Sequence, residues 1–274
     1  GVTGLDGNGQ DDFVKILAGV QEAHGGITEV LDVNENFIKY NTLESAKLNG
    51  ISFVSGDRKK EGILPNLSIY ENLVVPLYKK TSRAGFLGFI DWLELNGIFD
   101  WEVDRLSIKT GPRDNLIGSL SGGNQQKVMI ARSFAQHPKV LILNDPARGI
   151  DVSTKRDLYV HLRNYVEEGN TVVFLSSELE EFIGLCPKVM VFRNGTVFDI
   201  FENEKINADT LLEGMFGQTA GISETFLSSK SNSNSTTTEK KSVTNKKIEN
   251  KKIVKVVDFE KENKNKTKIK IKTF

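Results

Sequence analysis

At 274 residues the chain has room for one large domain or two small ones, and its single cysteine, Cys186, excludes a disulfide framework and fits a reducing compartment. No apolar run reaches the ~20 residues that a membrane-spanning helix needs. Gly1 is followed by no charged-then-apolar leader of the secretory kind, and the sequence reads as a fragment lacking its upstream part. A net charge of zero conceals a division: residues 229–274 carry 14 Lys against 5 acidic side chains and are nine net positive, while residues 1–228 are nine net negative.

Taken in order, Gly1-Val2-Thr3 reads as a strand end and residues 4–12, GLDGNGQDD, as a glycine-rich loop. Phe13, Ile16 and Leu17 then recur at helical spacing, and Gly19 ends that helix. Strand end, glycine loop and helix start in succession form the setting of a phosphate-binding loop, where free N–H groups and the helix dipole favour an anion. Residues 26–30 and the segment to Ile38 read as short strands, 41–48 as a helix and 50–54 as a buried strand. The charged run 57–61 admits two readings, a solvated loop or a partner-facing surface. Residues 64–118 read as helices between Gly and Pro turns, with apolar-aromatic clusters at Phe86-Leu87, Phe89-Ile90 and Trp92-Leu93 that read mainly as core.

Residues 120–128, LSGGNQQKV, have the chemistry of a helix N-terminus. Ser121 is a side-chain acceptor, Gly122 and Gly123 let backbone approach closely, and Val128, Ile130, Ala131 and Phe134 follow at helical spacing. For Ser-Gly-Gly alone, an ordinary capped helix is the simpler reading. Residues 139–143, KVLIL, predict a central parallel strand with both faces covered, ending in Asn144-Asp145-Pro146. Acidic residues at such a carboxyl end are where α/β sheets place metal ligands. Residues 170–179 predict a second buried strand leading to a helix, and 188–197 a hairpin through Asn194-Gly195. His24, His137 and His161 lack metal-ligand spacing.

The nine-residue string resembles the signature motif of ATP-binding cassette (ABC) ATPases, in the LSGGNQQK form typical of sugar-importer subunits. Other segments follow in the family's order. Gly4, Gly7 and Gly9 match GxxGxGK[ST], residues 53–63 and 68–73 resemble FVPEDRxxxGL and SIxENL, and LILNDPARGID resembles LLLDEPTRGID. The resemblance covers residues 1–217. It implies an α/β P-loop NTPase of the ABC type, with a mainly parallel sheet and a helical signature subdomain at about 64–135, N-terminally truncated. Residues 218–274 then form a Lys/Ser/Asn-rich tail whose composition predicts disorder.

By the same resemblance the cofactors are ATP and Mg²⁺. Gly4, Gly7, Asn8, Gly9, Gln10 and Asp11 fall in the phosphate loop, and Ser121, Gly122, Gly123 and Gln125 in the signature, which in the family acts in trans on the γ-phosphate held by another cassette. Asp145 takes the general-base position, Ser177 the switch-histidine position, and Asp11 with Asn144 the Mg²⁺ position. Several residues depart from the pattern: Gln10 stands for Lys, Asp11 for Ser or Thr, Asn144 for Asp, Asp145 for Glu, Ser177 for His, and Gly56 for a Gln that watches the metal. Second cassettes of sugar importers often carry Ser at the position of Ser177. Asp11 also admits the reading that a carboxylate has moved rather than vanished.

The resemblance thus implies the second cassette of a two-cassette sugar importer, with a degenerate site of its own and a signature supplied to a catalytic cassette. Its partners are then an upstream or second cassette, integral-membrane permease subunits and, indirectly, a periplasmic or lipid-anchored sugar-binding protein, with the chain peripheral on the cytoplasmic face. Nucleic acid is not expected, because residues 1–228 are acidic and a basic groove is required for it. The alternatives are a DNA- or ribosome-associated cassette and a nucleotide-free scaffold. In the tail, the alternation KIKIK at 268–272 reads as a strand or as biased composition. The tail itself reads as solvated, or as an anchor to an anionic leaflet at ~1 kcal/mol per Lys near the surface.

Overall fold

The computed structural model describes residues 1–32, 36–78, 90–217 and the backbone of 269–272. Its main sheet has six strands in the order β4 (Ile51–Val54), β5 (Val140–Asn144), β6 (Thr171–Leu175), β1 (Val2–Gly4), β7 (Lys188–Arg193) and β8 (Thr196–Glu202). The first five are parallel, and β8 returns antiparallel at the edge. That return is set by Asn194 and Gly195, whose φ of 51° and 75° are those of a hairpin turn twisted to match its strands.

The strand at 140–144 is buried along its whole length, and its side chains divide between two apolar bodies with a period of two. Val140 and Ile142 meet Val14 and Leu17 of α1 (Gln10–Leu17) on one face. Leu141 and Leu143 join the body on the other face, with Val128, Met129 and Phe134 of α5 (Gly122–Phe134), Leu158 and Leu162 of α6 (Val152–Glu167) and Leu211 of α7 (Ala208–Phe216). The result is an α/β fold with a mainly parallel sheet between helical layers.

On the second face α5 also packs against α3 (Ile69–Val74) and α4 (Trp92–Arg105). A capping box starts α3: Ser68 Oγ accepts from the Glu71 amide, and the Glu71 carboxylate accepts from the Ser68 amide at 2.8 Å. Asn72, almost fully buried, holds the preceding loop through the Leu64 amide and the Leu64 and Leu67 carbonyls.

Three local expectations change. The strand at 171–175 runs into a 3₁₀ turn at Leu179–Phe182 rather than an α-helix. Trp92 and Leu93, read mainly as core, are 54% and 81% exposed, because α4 turns Leu95 and Phe99 inward instead. Phe86, Leu87 and Phe89 lie outside the described residues.

A smaller antiparallel sheet has the order β3 (Phe37–Tyr40), β2 (Ile27–Leu31), β9 (Ile269–Lys272). Its third strand is the alternating segment of the tail, formed as a strand. Between the two sheets lies α2 (Leu43–Leu48), which starts at a capping box of Thr42 and Ser45.

Candidate functional site

Because β4, β5, β6 and β1 are neighbours and parallel, the segments that leave their carboxyl ends converge on one rim of the sheet, the usual place for a site in an open α/β fold. From β1 comes the glycine loop. Gly7 and Gly9 have φ of 80° and 95°, left-handed values that glycine reaches without strain. Asn8 staples the loop to the β7–β8 turn, its Oδ1 accepting from the Asn194 amide at 2.8 Å and its carbonyl from the Gly195 amide at 3.1 Å. A side chain at residue 9 would stand 3.1 Å from Gly195 Cα, so glycine is required there.

Gln10 opens α1 but does not face outward. It is buried, and its Nε2 donates to the carbonyls of Gly4 and Leu5 at 3.1 and 3.0 Å. Gln10 Oε1 is also buried and has no hydrogen-bond partner. The amide therefore braces the loop from inside, where a lysine would bring charge to a phosphate. Asp11 and Asp12 fill the first turn of α1 with negative charge, which suits the helix dipole and opposes an incoming anion.

From β5 come Asn144 and Asp145. Asn144 is buried and its Nδ2 donates to Asp11 Oδ1 at 3.3 Å. The nitrogen, not the oxygen, of this amide faces the carboxylate. The pair is thus a donor and an acceptor joined to each other, with Asp11 as its one carboxylate. No group of three His, Cys, Asp or Glu among the described residues has the spacing of a metal site. Gly56, following β4, stands beside the same asparagine: a Cβ there would meet the Asn144 carbonyl oxygen at 2.9 Å.

Asp145 has a φ of 46° and is fixed by its amide, which donates to the Leu175 carbonyl at 2.8 Å. Burial raises the pKa of its carboxyl, with the hydrogen bond from Ser177 working the other way. That bond runs from Ser177 Oγ to Asp145 Oδ2 at 3.1 Å, so base position and switch position meet through short side chains. Behind them lies a polar network that no motif announces. Lys155 on α6 reaches Glu178 at 2.6 Å and Glu181 at 2.9 Å, and Ser176 Oγ donates to Glu181 at 2.5 Å. Burial works against the Lys155 ammonium, but the two glutamates outweigh it and raise its pKa.

The signature stands apart from this cluster. Ser121 is the N-cap of α5, exposed, its Oγ accepting from the Asn124 amide at 3.4 Å and the Asn124 side chain at 3.0 Å. Gln125 turns back onto its own loop, donating to the Leu120 carbonyl at 3.0 Å and the Ile117 carbonyl at 3.4 Å. The charged run 57–61 is exposed except at Arg58, which turns toward the signature. It forms a single π-type turn capped by Asp57, from which Arg58 Nη1 donates to the Gly122 carbonyl at 3.1 Å and Glu61 accepts from Ser55 at 2.5 Å. A Cβ at Gly123 would lie 3.6 Å from Asp151, the N-cap of α6. Hydrogen bonds from Ser153 and Thr154 hold the Asp151 carboxyl well below the usual carboxylate range. Glycine loop, Asn144, Asp145 and Ser177 are thus gathered on one rim. Ser121, Gly122, Gly123 and Gln125 sit on the helix that joins that rim's sheet to α3 and α4.

A parallel sheet with a glycine loop entering α1, the Asn144-Asp145 pair at the end of β5 and a separate serine-capped α5 make up a cassette fold of the ABC type. The model of the ABC transporter family matches residues 1–148, and the chain belongs to that family. It is similar to a ribose import ATP-binding protein RbsA of Bacillus cereus, 34% identical over 213 residues, 77% of this chain and 42% of that protein. To the ribose import ATP-binding protein RbsA 1 of Rhizobium johnstonii it is 36% identical over 216 residues, 77% of this chain and 41% of that one. The chain therefore spans about two fifths of the length of these relatives. Among solved structures, the cassette MJ0796, a dimer bound to ADP and Pi, matches with a TM-score of 0.62 at 23% identity over 73% of this chain and 83% of its own. The cassette MJ1267 matches with a TM-score of 0.63 at 19% identity, over 79% and 85% of the two chains. Both share the fold.

Proposed function

We propose that this chain is a non-hydrolysing cassette of a sugar importer and completes, in trans, an ATP site whose phosphate loop, Mg²⁺ ligand and general base belong to another cassette. The observation that carries this reading is where the departures fall and what they do. Gln10 satisfies its own loop, Asn144 satisfies Asp11, and Ser177 satisfies Asp145. Each substituted side chain is engaged with a neighbour of the same site. Ser121, by contrast, is exposed at the start of a 13-residue helix, its Oγ bonded only to Asn124 of that helix, with Gly122 and Gly123 partly exposed beside it.

In this role the N-terminus of α5 supplies uncharged donors and a partial positive charge to a γ-phosphate bound elsewhere, stabilising the charge that develops on transfer. Arg58 fixes Gly122 from below, and Asp151 caps α6 beside Gly123. ATP enters at that composite site, and Mg²⁺ belongs to the cassette that supplies the metal ligand. The chain's own loop keeps backbone donors at Gly7 and Gly9 but meets a phosphate with two aspartates, so its affinity for nucleotide is weak and gains little from Mg²⁺.

We take residues 1–217 as the cassette and about 64–135 as its helical subdomain. The exposed Trp92, Leu93 and Trp101 of α4 offer an apolar surface to permease subunits, with the chain peripheral on the cytoplasmic face. The transported substrate is a carbohydrate of the ribose class, delivered by a sugar-binding protein that this chain does not touch. The test is ATP turnover by the isolated chain. The reading expects a rate at least a hundredfold below that of the complete two-cassette protein, and comparable rates would refute it.

A further inference from the structure

We propose that the outer edge of β2 is a strand-docking site whose occupant, in cis, is this chain's own C-terminal segment, Ile269–Lys272. The pairing is antiparallel over four positions: Ile27 with Lys272, Thr28 with Ile271, Glu29 with Lys270 and Val30 with Ile269. Without β9, the small sheet is the two-stranded pair β2–β3, held to the body through Val30 and Tyr40, and the β2 edge presents unpaired backbone donors and acceptors. A third strand removes that defect. Strand addition of this kind draws its affinity from main-chain hydrogen bonds and its choice of register from the side-chain pattern.

The pattern selects this occupant. Glu29 lies at the centre of β2 and is 6% exposed. The register sets Lys39 opposite Glu29 on β3 and Lys270 opposite it on β9. The segment 268–272 alternates Lys and Ile, and a slip of one residue would bring an isoleucine opposite Glu29 in place of lysine. Net charge points the same way: residues 229–274 are nine net positive and residues 1–228 nine net negative. Length permits it. Roughly fifty residues separate Gly217 from Ile269, and a chain of that length has a random-coil span of about 40 Å, comparable with the diameter of the cassette. Docking thus returns a basic extension to an acidic domain instead of leaving it to other anionic surfaces, and since it rests on four residue pairs it is reversible.

Amide hydrogen exchange of the full chain tests this. In the wild type the amides of residues 27–31 are protected. Lys270→Glu, which sets two acids opposite one another, and the double change Lys270→Pro with Lys272→Pro, which removes the two N–H groups that the register turns toward β2, each speed exchange there at least tenfold. Residues 140–144 serve as the internal control and stay unchanged. Adding Glu29→Lys to Lys270→Glu returns the protection, and a synthetic peptide of residues 264–274 returns it to the double-proline variant. Equal exchange at 27–31 in all these proteins would overturn the proposal. So would protection that rises with protein concentration alongside a dimer on gel filtration, since a second copy would then hold the edge.

Discussion

Asp11 stands where the resemblance expects Ser or Thr and Asn144 where it expects Asp, so the pair has its one carboxylate on the loop instead of the strand, and a 3.3 Å hydrogen bond joins the two changed positions. A carboxylate at both positions would set like charges within hydrogen-bond distance, a repulsion of about 4 kcal/mol at an effective dielectric of 20, reduced here because Asp11 is exposed. Asn144→Asp alone is therefore expected to lower stability by about 1–2 kcal/mol, a Tm drop of several degrees, and Asp11→Ser added to it to restore the loss. Thermal melting of the two variants checks this, and additive losses would contradict the coupling. At this scale the sequence showed which positions had changed, since motif spacing marks them residue by residue. It did not show what the new side chains do. That Gln10 folds back onto Gly4 and Leu5, or that Lys155 braces Glu178 and Glu181, depends on rotamers and on segments far apart in the chain, and no local pattern encodes either.

Among the elements, α4 carries an unusual burden. Its Glu102 is buried among apolar side chains with Oε2 unpartnered, and Arg105, at 3.4 Å from Oε1, also lies over the ring of Phe134. Burial pushes the Glu102 carboxyl up to about 7, with Arg105 only partly offsetting it. Below about pH 4.5 folded and unfolded chains both hold this proton. Between about 4.5 and 7 the unfolded carboxyl ionises first, so stability falls as pH rises through that window. Above it the loss is complete. Glu102→Gln removes the titration, and between pH 5 and 7.5 the wild type should lose about 2 kcal/mol relative to this variant in denaturant melts. Parallel pH profiles would show that Glu102 ionises normally. The helices and strands themselves were legible where period and length agreed: the all-apolar β5, the Asn-Gly hairpin and the serine-capped α5. The exposed Trp92 was not, because a large aromatic at helical spacing carries no mark of which face meets the core. The 3₁₀ turn after β6 was missed for a similar reason, since a short turn and the first turn of a helix look alike in sequence.

For the whole molecule, the parallel sheet could be anticipated from the order of buried strands and helices, but the small sheet could not. Its third strand is contributed from about 240 positions further along the chain, and pairing of that range leaves only a faint two-residue alternation as its trace. What unites the scales is the proposed division of roles between the rim that holds Asp11, Asn144, Asp145 and Ser177 and the capped helix that begins at Ser121. The most direct measurement of that proposed division is steady-state ATP turnover of this chain together with the second cassette proposed for it, carrying either Ser121→Arg or Asp145→Ala in this chain. The account predicts that Ser121→Arg lowers turnover more than a hundredfold while nucleotide affinity at the other cassette is kept, and that Asp145→Ala leaves turnover within about twofold. A collapse with Asp145→Ala and a near-normal rate with Ser121→Arg would contradict it.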